Sequence, residues 1–273
     1  MANIDSNVVS GFGDEWSRFD QSDLSADELQ TLFDEYFGIF PWESLPRDAV
    51  GFDLGCGSGR WATLVAPKVG FLHLIDPSDA INVARRNLSD QHNCEFHRAS
   101  VDEMPLEDSS CDFGYSLGVL HHIPDTEEGL RKCVAKLKSG APFLIYLYYR
   151  FDNKPAWFKA VWWLTDLVRR VVSKLPFGLR YASSQILAGL VYWPLARTAR
   201  LLEKLGAKVD NFPLSQYRNR SFYSMKTDAL DRFGTRLERR FIKTEVLEMM
   251  ERSGLCDVRF GEKVFWTAVG FKM

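Results

Sequence analysis

Two neighbouring histidines and a glycine-rich turn are where residue type and spacing in this sequence invite chemistry. The histidines are His121 and His122, in SLGVLHHIPD. An imidazole titrates near neutrality, so either ring is suited to take a proton from a hydroxyl. The turn lies in AVGFDLGCGSGRWATLV, where Gly55, Gly57 and Gly59 alternate between an apolar run and a helical pattern starting near Trp61. Positions without side chains let the backbone come close to a ligand, and the helix start presents N–H groups to it. A dinucleotide site would read GxGxxG. Here the third glycine comes one position early and Arg60 stands where the last would be. That disfavours a pyrophosphate and suits a ligand with a charged amino-acid end. Asp53 is placed to accept from an ammonium or from N–H groups of the turn.

The elements that must hold these residues read as follows. VGFDL, LHLID, CEFHRA, CDFGYSL and APFLIYLYY are expected as strands; WATLVAP, DAINVARRNL and EEGLRKCVAKLKSG as helices. Strands alternating with helices imply a doubly wound parallel sheet. Ser25 followed by Glu28 resembles a capping box opening an earlier helix. The pattern breaks at about residue 150, is helical from Pro155 to Gly206, and resumes with the helix IKTEVLEMMERSGL and the strands CDVRFGEK and FWTAVGFK. The expected division is 1–48 as a helical cap, 49–149 as the ligand-binding core, 150–235 as an insertion and 236–273 completing the sheet.

Composition sets outer bounds. With 46 % hydrophobic and 26 % charged residues the chain is ordinary globular protein, and a net charge of −2 gives no general case for nucleic acid. Five scattered cysteines form no CxxC or Cys/His cluster, which reads as reduced thiols without a disulfide frame or metal site. The first residues lack the pattern of a signal peptide, and no apolar stretch suffices for a membrane span. A cytoplasmic protein is the expectation.

FDLGCGSGRW resembles the first motif of class I S-adenosylmethionine-dependent methyltransferases, and later landmarks agree. Asp76, in LHLIDPSDA, ends the second strand, where the family's acid holds the ribose. ASVDEMPLEDSSCDFGYSLGVLHHIPD resembles the adenine loop and fourth strand of the small-molecule branch related to ubiquinone and menaquinone C-methyltransferases. The resemblance implies a Rossmann-like α/β fold with a seven-stranded sheet, the helical insertion following the fifth strand, and S-adenosylmethionine as cofactor. Carried over by residue, Gly55 and Gly57 admit the methionine moiety, Cys56, Ser58 and Gly59 complete the turn, and Cys56 is a small filler rather than a nucleophile. Pro77 and Ser78 border the adenine, and Leu117 and Gly118 end the fourth strand. The family's usual acid in the adenine loop is replaced by Ser100, preceding Val101. Either Ser100 or Asp102 accepts from the exocyclic amine, or Asp102 is a solvated loop carboxylate. Trp16 and Phe19, on one helix face, either pack or close over the sulfonium, which aromatic rings attract. A related branch uses ExxEH to hold a metal at the position of the histidine pair; those carboxylates are absent here, so no metal is expected.

Similar HH pairs in sugar and natural-product methyltransferases include a residue proposed as the base; the alternative for either of two adjacent histidines is local packing or hydrogen bonding. The function expected is therefore transfer of a methyl group to a small-molecule hydroxyl in a sugar, amino-acid derivative or natural product. The alternatives are N-methylation, a membrane-peripheral enzyme acting on a lipid-linked acceptor, and a non-catalytic cofactor-binding relative. Between Arg150 and Val209 eleven Lys and Arg face three acids, a net +8 that leaves −10 elsewhere. This tryptophan-rich block reads as a packed cap, as a cap that binds an anionic or amphipathic substrate, or as an element resting on anionic lipid. The segment after it, FPLSQYRNRSFYSMKTDALDRFGTRLERRF, lacks clear apolar periodicity and reads as a loop. Tyr217, Arg220, Tyr223, Asp228 and Arg236 in it either line an acceptor pocket, as in related enzymes, or pin a surface loop.

Overall fold

The computed structural model describes residues 3–264 and 266–273. In chain order the helices and strands are α1 (Ser6–Arg18), α2 (Ala26–Phe37), β1 (Val50–Leu54), α3 (Ala62–Val65), β2 (Phe71–Ile75), α4 (Ala80–Asn87), β3 (Cys94–His97), β4 (Phe113–Leu117), α5 (Thr126–Lys136) and β5 (Pro142–Tyr146). There follow α6 (Ala156–Val172), α7 (Phe177–Leu187), α8 (Trp193–Lys204), α9 (Phe222–Gly234), α10 (Lys243–Arg252), β6 (Leu255–Phe260) and β7 (Thr267–Lys272). Contacts divide the chain into a sheet unit (Met1–Gln21, Leu29–Arg150, Leu237–Met273) and a helical unit (Ser22–Glu28, Phe151–Arg236).

The sheet unit is a seven-stranded sheet in the order β3-β2-β1-β4-β5-β7-β6. β1 to β5 are parallel, and β7 runs antiparallel to both β5 and β6. The mixed edge has a simple cause: the few residues joining β6 to β7 are too short for a parallel crossover, so the pair closes as a hairpin. In FWTAVGFK, the run expected as the last strand, Phe265 lies outside the described residues. The central strands are buried on both faces, which is why they read as continuous apolar runs. Gly51 and Gly114 face Phe113 and Phe52 across the β1–β4 register; a side chain at either glycine would collide with the ring. Two cores follow, one per face, centred on Phe52, Phe143 and Leu130, and on Leu72, Trp61 and Phe37.

Caps fix the helices around the sheet. The Asp5 carboxylate accepts from the Asn7 and Val8 amides at the start of α1. Asp125 accepts from Glu128 N–H at the start of α5, where Glu127 and Glu128 also favour the helix dipole.

The helical unit packs Val172, Ala188, Tyr192, Ala196, Met225, Ala229 and Phe233 together. The segment expected to be a loop contains α9, so that reading is corrected. Ser221 caps the helix by accepting from Ser224 N–H, and Met225, Ala229 and Phe233, four apart, form its buried stripe. A buried ionic knot holds α6 in this unit. Asp166 pairs with Arg169 at 2.7 Å, Arg170 at 2.9 Å and Arg232 at 3.7 Å, and Arg169 also donates to Thr235 C=O. Burial pushes the Asp166 carboxyl up, but Arg169 and its other cationic neighbours outweigh that and hold it below its usual range.

Candidate functional site

The glycine turn leaves β1 at the carboxyl edge of the sheet. Gly55 and Gly57 have φ of +74° and +54°, a left-handed backbone that favours glycine. A side chain on Gly55 would strike Val119, and one on Gly57 would crowd the Trp16 indole. α1 therefore lays Trp16 against the turn, with the Arg60 guanidinium 5.9 Å from the same indole, while Phe19 is buried at the end of that helix.

Two buried carboxyls flank the turn. Asp53 sits in β1 opposite Tyr115 of β4, and its Oδ2 is buried with no hydrogen-bond partner. Burial pushes its pKa up to about 8; the Tyr115 hydroxyl works against that rise and the neighbouring Asp76 adds to it. Asp76, at the end of β2, ties the turn to the next loop. Its Oδ2 accepts from Gly57 N–H at 2.9 Å, and its Oδ1 accepts from Ser78 N–H at 2.9 Å and Ser78 Oγ–H at 2.6 Å. Burial raises the pKa of Asp76 as well. Cys56 is buried, and burial lifts its thiol well above the ordinary value, which fits a filler and not a nucleophile. The Ser58 hydroxyl is buried without a partner, and Pro77 is half-buried beside Ser78.

The loop after β3 carries Ser100 and Val101, both buried, and Asp102. Ser100 Oγ donates to Glu103. The Asp102 carboxylate accepts from Asn3 N–H at 2.7 Å and Lys132 at 2.8 Å. Burial opposes these donors, but together they keep Asp102 below the usual carboxylate range. Both of its oxygens thus have protein partners, leaving Ser100 and the backbone around it less encumbered toward a ligand.

The histidines follow β4. Leu117 ends the strand, Gly118 turns the chain with φ +82°, and a single helical turn carries Leu120, His121 and His122. Thr126 Oγ1 donates to Leu120 C=O and Arg239 N–H to His121 C=O, so the backbone of this turn is held from two sides. His121 is fully buried, its ring centre 3.9 Å from that of Tyr148 and 4.0 Å from that of His122 in tilted contacts, and neither of its ring nitrogens has a hydrogen-bond partner. Burial, then His122 and Arg240, push its pKa far below the ordinary value, so the ring is neutral. His122 Nδ1 lies 2.7 Å from Leu237 C=O. A carbonyl only accepts, so Nδ1 carries the proton and Nε2 has the lone pair that a base needs. Phe12 of α1 packs on His122, Tyr146 lies edge-on to His121 and Tyr148 edge-on to His122, and Tyr36 in turn lies edge-on to Tyr146. These three tyrosines were not singled out from the sequence. The alternation of Tyr146 and Tyr148 in LIYLYY, running past the end of a strand beside the histidine strand, was the signal available.

The other proposed residues lie in the helical unit. Tyr217, in the turn before α9, packs at a tilt against Tyr192, and Arg220 C=O accepts from Arg197. Tyr223 is buried in α9 and Asp228 half-buried in the same helix. Arg236 Nε donates to Ser173 C=O just past α6. The structure thus gathers the glycine turn, Asp53, Asp76, the Ser100 loop, Trp16 and the histidines in one unit, and these five residues in the other.

The turn and its acids fit a nucleoside that carries a cationic amino acid. A buried, unpartnered carboxyl oxygen waits at Asp53, a side-chain-free cradle at Gly55 and Gly57, and a second acid at the tip of β2. The sheet order and this carboxyl-edge crevice define a Rossmann-like methyltransferase fold. Residues 52–145 match the family described as "Methyltransferase domain". Over 100 residues the chain is 32 % identical to phosphoethanolamine N-methyltransferase 2 of Caenorhabditis elegans, covering 35 % of this chain and 23 % of that protein. Over 157 residues it is 25 % identical to the ubiquinone biosynthesis O-methyltransferase of Coxiella burnetii, covering 56 % and 64 %. The chain therefore spans less than two thirds of the length of these curated relatives. Among solved structures, a methyltransferase of Haloferax volcanii, in complex with the Trm112 methyltransferase activator, superposes with a TM-score of 0.51 at 14 % identity, over 95 % of this chain and 96 % of that one. Residues 52–145 thus form a methyltransferase domain on the fold of S-adenosylmethionine-dependent methyltransferases, and S-adenosylmethionine is the cofactor of such a domain.

Proposed function

We propose that the chain transfers a methyl group to a hydroxyl of a small molecule, with His122 as the base and the turn, Asp53, Asp76 and the Ser100 loop as the cofactor's cradle. Bound S-adenosylmethionine supplies a methyl already activated on a sulfonium. What remains for the protein is to hold the acceptor in line and, for a hydroxyl, to remove its proton. The observation that carries the choice of oxygen is the fixed tautomer of His122. An amine can arrive unprotonated and needs no such base. Tyr36, Tyr146 and Tyr148 supply ring faces and hydroxyls suited to a sugar, an amino-acid derivative or a natural product. Asp53 would face the cofactor's ammonium. An ionised carboxylate offers about four lone-pair positions. Asp76 already uses three, so gripping a ribose diol requires Gly57 or Ser78 to yield one. A mass-spectrometric screen of acceptor pools for a gain of one methylene tests the reading. A product methylated at oxygen, lost in His122→Ala, supports it; an N-methylated product made equally well by that variant contradicts it.

A cytoplasmic setting is part of this reading and is consistent with five free cysteines; no helix among the described residues is long and apolar enough to cross a membrane. A second element of the proposal concerns the face of α6. Its buried side carries Asp166 and Arg169, whereas Trp157, Val161, Leu164, Val168 and Val171, stepping by four and three residues, are 44–66 % exposed. The helix thus buries two charged side chains beside Val172 and exposes an apolar stripe, against the usual pattern of a helix on a water-soluble domain. Leu190 and Leu205 elsewhere in the unit are about three quarters exposed, and Lys159, Arg170, Lys174, Arg200 and Lys204 are exposed in the same unit. Apolar side chains flanked by cations match the interface of an anionic bilayer, on which a helix about 26 Å long can lie flat. We therefore place this face on anionic lipid. Co-sedimentation with phosphatidylcholine–phosphatidylserine vesicles, weakened by salt and lost in Val168→Glu/Val171→Glu, is expected. Absence of lipid binding together with a stable dimer that the same variant breaks would show a second copy to be the occupant.

A further inference from the structure

Away from the cofactor crevice, β2 and β3 bring three metal-ligating side chains to one face of the sheet. In their parallel register His73 stands opposite Glu95 and Ile75 opposite His97, and residues two apart on a strand share a face. His73 Nδ1 lies 3.1 Å from His97 Nε2, and Glu95 Oε2 lies 3.4 Å and 3.6 Å from those two nitrogens. We propose that His73, Glu95 and His97 form a zinc site that clips the edge strand β3 to β2.

The geometry is that of three corners of a coordination tetrahedron. With zinc–ligand bonds of about 2.0–2.1 Å, neighbouring ligand atoms stand about 3.3 Å apart. The three observed separations straddle that value. Without a cation, a proton between the two imidazole nitrogens satisfies that contact and leaves Glu95 Oε2 without a donor from either ring; a divalent ion satisfies all three acceptors together. The two histidine side chains are only 17 % and 14 % exposed, which limits their rotation, while Glu95 is 56 % exposed and leaves the outer side open to water as a fourth ligand. Two imidazoles and one carboxylate select zinc or a similar first-row ion over magnesium or calcium, which prefer oxygen.

The clip has a structural consequence at the cofactor site. β3 is the sheet's edge, and His97 C=O accepts from Asp76 N–H at 3.1 Å. An ion that fixes His97 against His73 thereby steadies the end of β2 where Asp76 stands.

The test uses the full-length chain stripped with a chelator. Zinc is titrated against a chromophoric chelator, and cobalt(II) serves as a spectroscopic probe. One tight equivalent, visible tetrahedral d–d bands with cobalt and a higher melting temperature with zinc are expected. His73→Gln and His97→Gln should each weaken binding by at least about tenfold, with unchanged far-UV circular dichroism. Glu95→Gln, at an exposed position, gives a variant whose folding is not in question and should weaken binding likewise. No binding in competition with the chelator, or wild-type affinity in Glu95→Gln and either histidine variant, overturns the proposal.

Discussion

Replacing Asp53 by asparagine should remove a pH dependence of stability that one buried carboxyl creates. The folded protein holds this group at a pKa of about 8, against 3.8 for the unperturbed acid. Between those values the folded chain keeps a proton that the unfolded chain releases. Stability from Asp53 is therefore complete at low pH and falls as pH rises, levelling off above about 8. The slope is about 1.4 kcal/mol per pH unit, so about 3 kcal/mol is lost between about pH 5 and pH 7. Asparagine keeps the shape and the Tyr115 neighbour but cannot ionise. Buried Asp76 contributes with the same sign, and His121, held neutral by burial, with the opposite one. Both remain in the variant, so the difference between the two proteins reports Asp53 together with its coupling to Asp76. Urea unfolding across this range should show the midpoint of the wild type falling relative to Asp53→Asn. Parallel pH profiles would refute the reasoning. The same carboxyl makes a second readout: a cation bound beside it favours the ionised form, so affinity for S-adenosylmethionine should climb toward pH 8 with release of a proton.

Further outcomes follow from single contacts. Gly57→Ala places a methyl group at a φ of +54° against Trp16 and should weaken S-adenosylhomocysteine binding in calorimetry, whereas Gly140→Ala, whose added methyl meets nothing, should not. His121→Ala/His122→Ala should slow turnover sharply, once an acceptor is in hand, with little change in cofactor affinity; unchanged turnover removes the base assignment. Asp166→Ala strands buried Arg169 and should destabilise the helical unit by about 3 kcal/mol, read by denaturant unfolding.

The parallel strands and the glycine turn were legible because each depends on local pattern: apolar runs bounded by turns, and glycines where the backbone must reverse. β1, read as VGFDL, has those bounds in the structure. The antiparallel β7 follows from the shortness of its connection, a geometric fact about two strands that neither run contains. α9 was missed because Tyr, Arg and Asp crowd its exposed positions and hide the Met225, Ala229 and Phe233 stripe. α1 was read only as a pair of aromatics, since its cap, Asp5, stands in a weakly apolar segment. The functional features least legible in the sequence are those assembled across strands. Tyr36 meets Tyr146 from a distant helix, and His73 meets His97 only through the β2–β3 register. The tautomer of His122 depends on Leu237, which lies beyond the entire insertion. In such cases spacing along the chain carries no signal, because the partner is chosen by the fold.

The central claim is that the turn after β1 and the acid at the end of β2 together hold the cofactor. Titration calorimetry of the full-length chain and of Asp76→Ala with S-adenosylhomocysteine tests it most directly. One molecule should bind per chain, and removing the carboxylate, with its charged hydrogen bonds to the ribose and to Gly57, should weaken binding about ten- to a hundredfold. Equal affinity in the two proteins, or no binding by the wild type, would contradict it.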